Sequence, residues 1–492
     1  MNRFSTLVFA ATALPCIAVS GVSDPTASLM RNGFGVVTAA HAQSQTVDPL
    51  AANDVSWLFP PPKSLDDVIS MGDLTAPNPQ DSKKRDPVWS DEAFHQFLAI
   101  AAGPAGRVAG TAQRIGLPAE VWSKGNWYIA GVRFDPGAPG LLDDIQKKFG
   151  QELQIRLSVQ PLTRNPDGTI KVHDLAAHLV FAFNAGYETD AIPGTEGCFP
   201  RPKWDGDAYN AVVADLADLR TQLTTGQFGV PIMTSGTLGV QPGLAAEPTT
   251  ARNVRQAMKA LLERHLSPER LGLMTIAALS ADAIQSKTNN KWIFLAMFNL
   301  KPHPHYYPSL PDDGFIPLLG TALDGLQYAQ ILNAAGSQAI VVPTPYPNNE
   351  PNPTTCEHAA LPLPRPSVDE RRGFSTADLL NGRQLNGRQP SHDEVMNTVD
   401  RIADPEKSHF FNTDCVSCHT DNEKAFDGGR LSIQGWNVRN FGWAPSTLLG
   451  FAGPNVSRPT VNVSRPTVNV SRRTVEETAA VLKFINLHLP SP

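Results

Sequence analysis

Leu153-Gln154-Ile155-Arg156-Leu157-Ser158-Val159 alternates apolar and polar residues without a break. A period of two sends every second side chain to the same face, the pattern of a strand with one face in a core. Asn165-Pro166-Asp167-Gly168 follows as a turn. Thr169–Phe183 beyond it reads as strand or helix. Before it, Trp127–Phe134 reads as a second strand. Lys291–Phe298 is a continuous apolar run suited to a buried strand, and Ile340–Val342 is a short one.

Helical periodicity is interleaved with these strands. Asp91–Ala102, Ala208–Leu223, Ala251–Leu266 and Pro268–Leu279 read as helices, with Ser267 as the cap and Pro268 at the first position of the last one. The order of helices and strands is irregular, so the expected class is α+β rather than a doubly wound parallel sheet. This larger mixed domain is expected over 89–342, after an extended lead-in over 43–88 that is rich in Pro, Asp and Ser. Eight Pro fall among the 24 residues from Pro343 to Pro366, which marks 343–390 as a linker. The pentapeptide LNGRQ occurs at 380–384 and again at 385–389 within it.

The 492 residues exceed one small domain. At 41% hydrophobic and 18% charged, the chain is not mainly disordered. A net charge of −6 gives no electrostatic footprint for nucleic acid. The one apolar stretch near membrane-spanning length is N-terminal. Met1-Asn2-Arg3 supplies a positive start, Phe4 to Val22 is mostly apolar, and small residues offer cleavage after Ala42 or after Ser20. Residues 1–42 are therefore expected to be a signal peptide, leaving no transmembrane segment and placing the mature chain in the periplasm or outside the cell. Cys16 would leave with the signal.

Four cysteines remain, and the spacing of two is specific. Residues 415–419 read Cys-Val-Ser-Cys-His, the attachment sequence of c-type haem. Each thiol adds across one haem vinyl group. Two intervening residues on a tight turn set the sulfurs at the vinyl spacing, and His419 projects to the iron as proximal ligand. A thioredoxin-like pair would sit in a βαβ context, and a zinc site would need a matching second pair; the sequence has neither. In an oxidising compartment the two cysteines left, Cys198 and Cys356, are expected to form a disulfide.

The flanks are helical. Ser391-His392-Asp393-Glu394 is a capping box, with Val395, Val399 and Ile402 behind it; Thr474-Val475-Glu476-Glu477 is another, followed by a stripe through Ala479, Leu482, Ile485 and Leu489. Residues 391–492 thus resemble a small all-α, monohaem cytochrome c domain, with a helix before the motif and a closing helix packed against it. The resemblance covers about the last fifth of the chain. It implies one covalent haem c, electron transfer as the function and a redox partner that the sequence does not name.

Cytochromes c of the common type take a sixth iron ligand from a Met downstream of the motif. Here no Met follows Met396. The candidates are His409, then an open position, then Met396, with His488 on the closing helix weaker still. In place of the Met loop stand three tandem heptads, NVSRPTV, NVSRPTV and NVSRRTV, over Asn455–Val475. Pro459 and Pro466 exclude a coiled coil, so the repeats are expected to form a surface loop. Trp436, Phe441 and Trp443 are candidate haem-wall residues; Arg430 and Arg439 are expected to be solvated.

No G-x-S-x-G, P-loop or H-E-x-x-H occurs. His303 and His305 flank a Pro and read as surface residues. His173 and His178 read as structural, and Asp167-Gly168 lacks the carboxylates of a calcium loop. Whether the chain is an enzyme stays open. The alternatives to a simple cytochrome are a haem-containing oxidoreductase whose N-terminal domain oxidises a substrate, and a haem-based sensor of a small ligand.

Overall fold

The computed structural model describes residues 49–81, 83–103, 106, 114–138, 140–173, 175–191, 200–234, 236–279, 291–299, 315–317, 330–333, 339–340, 391–407, 436–437, 442–443 and 472–488. Its helices are α1 (Ala52–Val55), α2 (Asp91–Ala102), α3 (Asp143–Phe149), α4 (Gly206–Thr224), α5 (Pro248–His265), α6 (His392–Ala403) and α7 (Arg472–Leu487). Strands β1 (Ser56–Leu58), β2 (Thr75–Pro77), β3 (Arg85–Pro87), β4 (Trp127–Ala138), β5 (Glu152–Arg164), β6 (Ile170–Val172), β7 (Leu175–Ala191) and β8 (Pro200–Trp204) come first. They are followed by β9 (Leu271–Leu279), β10 (Lys291–Asn299), β11 (Phe315–Pro317), β12 (Gln330–Asn333), β13 (Ala339–Ile340), β14 (Trp436–Asn437) and β15 (Gly442–Trp443). Helices and an antiparallel sheet share one chain, in agreement with the α+β expectation.

The main sheet runs β1-β4-β5-β7-β9-β10-β12-β13, with β6, β8 and β11 paired at its flanks. β5 occupies the position its alternation predicts. Leu153, Ile155, Leu157 and Val159 are buried, and the strand is hydrogen-bonded to β4 on one side and β7 on the other. Gly168, at φ +83°, closes the turn after β5, a backbone region that costs glycine little. The segment after the turn is strand: Leu175, Ala177, Leu179, Phe181 and Phe183 of β7 alternate into the same core.

Helix α2 matches its expected bounds, with Ser90 accepting from the Ala93 N–H at 3.1 Å. Asp205 caps α4, and Glu247 caps α5 with Pro248 at the first turn. The expected helix over Pro268–Leu279 is corrected. One 3-10 turn covers Pro268–Arg270, Ser267 makes no side-chain cap, and β9 follows. Short apolar runs do not distinguish strand from helix by periodicity. Pairing with β7 and β10 decides this one, because it satisfies the backbone groups of Leu271–Leu279 on both sides.

Two stretches outside 89–342 enter the same buried core. Within the expected lead-in, Leu50, Val55, Trp57 and Phe59 are buried, and β1 adds to the sheet edge beside β4. At the other end, Trp443 and the α7 residues Val481 and Ile485 join that core. No helix among the described residues is long and apolar enough to cross a membrane.

Candidate functional site

Cys415, Cys418, His419 and His409 lie outside the described residues, as do Cys198, Cys356, Arg430, Arg439, Phe441 and the first two heptads. What the structure describes is the frame on either side of the motif: α6 before it, then β14–β15 and α7 after it.

Helix α6 carries Met396, which is buried at 4% exposure, and Ala403, also buried. It is tied to α7 by two consecutive arginines of the third heptad. Arg472 pairs with Asp400 and, at 2.6 Å, with Glu476. Arg473 pairs with Glu477 at 2.6 Å and donates to the Asp404 carbonyl at 3.3 Å. His488, at the end of α7, stacks on Phe484 and holds the Phe484 carbonyl through Nδ1 at 2.8 Å.

Helix α7 is tied in turn to the sheet. Glu477 pairs with Arg133 of β4. Thr478 and Ser56 hydroxyls meet at 2.9 Å, and the Asn486 amide brackets both backbone groups of Leu50 at 3.0 and 3.1 Å. Arg156 of β5 reaches Asp135 at 2.9 Å. Three guanidiniums (Arg133, Arg156, Arg473) thus meet two carboxylates (Asp135, Glu477) where α7 lies on the sheet. Burial alone would raise the Glu477 carboxyl, but Arg133, Arg473 and Arg156 outweigh it and hold it down at about 2. Burial lowers Arg156 and raises Glu152 on the same strand. Arg133 Nε is buried and, among the described residues, has no partner.

Strand β15 makes the third tie. The Gln160 side chain accepts from the Trp443 N–H at 2.6 Å and donates to the Trp443 carbonyl at 3.1 Å. The same amide donates to the His173 carbonyl at 2.9 Å. The Trp443 indole N–H donates to the Phe59 carbonyl at 3.0 Å. Trp443 is therefore a core residue, held by its backbone and its ring. His173 is buried, with Nε2 2.9 Å from the Thr163 hydroxyl; burial, helped by Lys171, takes its imidazole down to about 4.

Arg133, Arg156 and Gln160 lie on the face of the sheet opposite to Leu157 and Val159, as their register with neighbouring strands requires. The alternation that identified β5 assigns these polar residues to solvent. In the structure they form the seat for β15 and α7. The one sequence signal for this was the run of polar side chains Gln154, Arg156, Ser158 and Gln160 at successive off-face positions of β5. Among the described residues no group of three or more His, Cys, Asp or Glu side chains is arranged to hold a metal ion.

Comparison with family models, with curated proteins and with solved structures finds no match for this chain.

Proposed function

We propose that this chain is an exported c-type cytochrome that carries one haem on Cys415 and Cys418, with His419 as the proximal iron ligand, and transfers single electrons to or from a redox partner. The observation that carries the reading is the C-x-x-C-H sequence at 415–419. The haem would be borne by a C-terminal domain over 391–492, helical at both ends, in a chain delivered to the periplasm or beyond.

The described frame fits such a group in two respects. A helix ahead of the motif and a helix behind it are joined, through Arg472 to Asp400 and Arg473 to Asp404. Where α7 meets the sheet, Arg133 Nε is buried without a partner among the described residues, a donor of the kind that would hold a porphyrin carboxylate. The haem would supply the one-electron chemistry. The chain's part is to hold the two thiols and the imidazole, to exclude water, and to set the potential through burial and hydrogen bonding.

The test is the full chain made in cells with working cytochrome c maturation. Haem should stay with the denatured protein on a gel and give the pyridine haemochrome spectrum of thioether-linked haem. Cys415→Ala or Cys418→Ala should leave at most one thioether. Colourless protein would sink the proposal.

A further inference from the structure

Six of the eight methionines are among the described residues. Five of them fill the core. Met71, Met258, Met274 and Met297 are fully buried, and Met396 is nearly so. Met233 is the exception, at 74% exposure. Methionine is among the residue types most often found inside, so one side chain left in water while five are covered is a feature to explain.

This exposure is not the fraying of a loose end. Met233 lies in the connection between α4 and α5. Gly226 closes α4 at φ +78°, and a Cβ there would stand 2.9 Å from Pro231, so the turn packs on the segment just before Met233. The Ile232 side chain is buried, and its N–H donates to the Leu223 carbonyl at 2.8 Å. On the other side, the Thr234 hydroxyl accepts from Arg220 at 2.7 Å and donates to the Asp54 carboxylate at 3.3 Å. Both chain neighbours of Met233 are anchored to the body of the protein, and the thioether between them stands in water.

We propose that Met233 is an oxidant-accepting site: its thioether takes one oxygen atom from hydrogen peroxide and becomes the sulfoxide, while the protein stays folded and its core methionines stay reduced. A sulfur lone pair attacks one peroxide oxygen and the O–O bond breaks. The proton on the transferred oxygen passes to the departing hydroxide, and water leaves. Sulfur is oxidised by two electrons and the peroxide is reduced by the same two. The buried sulfurs meet the oxidant only when the chain around them opens. A sulfoxide is polar and would disrupt a core, but at Met233 it forms where water already is. A thiol-dependent methionine sulfoxide reductase reaches the same atom and returns it to the thioether. The proposal is independent of the haem reading.

The experiment treats the full chain, folded and unfolded in urea, with hydrogen peroxide and follows the methionine peptides by mass over time. In folded wild type the Met233 peptide should gain one oxygen before any peptide holding Met71, Met258, Met274, Met297 or Met396 changes. Folded Met233→Leu should show no oxidised peptide among these over the same period. In urea all six should oxidise together, which assigns the selectivity to the fold. Protein oxidised at Met233 alone should keep the wild-type urea midpoint, and the reductase with a thiol should remove the oxygen. An equal or earlier gain at any of the five in folded protein would overturn the proposal. So would a Met233 that stays unmodified in folded protein while the unfolded chain reacts, or a lowered urea midpoint after its oxidation.

Discussion

The side-chain amide of Gln160 takes the place of a neighbouring strand for Trp443, 283 residues away: its oxygen receives the Trp443 N–H and its nitrogen gives to the Trp443 carbonyl. Both residues are fully buried. Gln160→Leu would take this partner from three backbone groups in the interior, the N–H and carbonyl of Trp443 and the carbonyl of His173, at about 1–3 kcal/mol each. The expected loss in urea unfolding is therefore about 3 kcal/mol or more. A change below about 0.5 kcal/mol, the range of ordinary surface substitutions, would show that Trp443 is not held this way.

Glu477 sits between Arg133 and Arg473 with little exposure. Glu477→Ala removes one side of a buried ion cluster and is expected to cost about 3–5 kcal/mol. Its pH dependence has a definite sign. The folded carboxyl titrates at about 2, below its unfolded value. The stability it contributes is present above roughly pH 4.5 and is lost as the pH falls toward 2. Glu477→Gln should flatten acid unfolding in that window; an acid limb identical to the wild type would refute the assignment.

His173 works in a higher window. Its buried imidazole takes a proton only near about 4, whereas the unfolded chain takes one near 6.5. Stability is thus greatest above about pH 6.5 and declines as the pH falls to about 4. Between roughly pH 7 and pH 5 the wild type should lose about 2 kcal/mol that His173→Gln does not. Equal losses in the two proteins would argue against a buried neutral imidazole.

Arg473 stands where the first two heptads have Pro459 and Pro466. Proline is tolerated in the first turn of a helix, so Arg473→Pro tests the ion pair and not the helix. It removes the bonds to Glu477 and to the Asp404 carbonyl. Amide exchange in α6 should speed up roughly tenfold or more, equivalent to about 1.4 kcal/mol, while β5 and β7 keep their protection. Unaltered exchange in α6 would mean that Arg472 alone joins the helices.

With Cys415 and Cys418 carrying the proposed haem, Cys198 and Cys356 would be the thiols left over. A bridge between them would close a long loop and contribute up to about 4–5 kcal/mol by chain entropy. Mass mapping without reductant should find one Cys198–Cys356 peptide. Two free thiols in the folded protein would exclude it.

Local chemistry determined a good part of this protein. Strict alternation over Leu153–Val159 specified β5, helical periodicity placed α2 over Asp91–Ala102, and the spacing of Cys415, Cys418 and His419 carries the proposal of a haem. These signals act over a few residues, so one segment carries them complete. Other features depend on groups hundreds of residues apart. Leu271–Leu279 is a strand because β7 and β10 complete its hydrogen bonds. Gln160 is buried because Trp443 arrives to use its amide, and Arg133 is covered because Glu477, 344 residues later, lies on it. Periodicity tells which face of β5 is apolar. What covers the polar face is decided only when the chain's two ends meet, because a buried polar side chain is tolerated only with its partner in place.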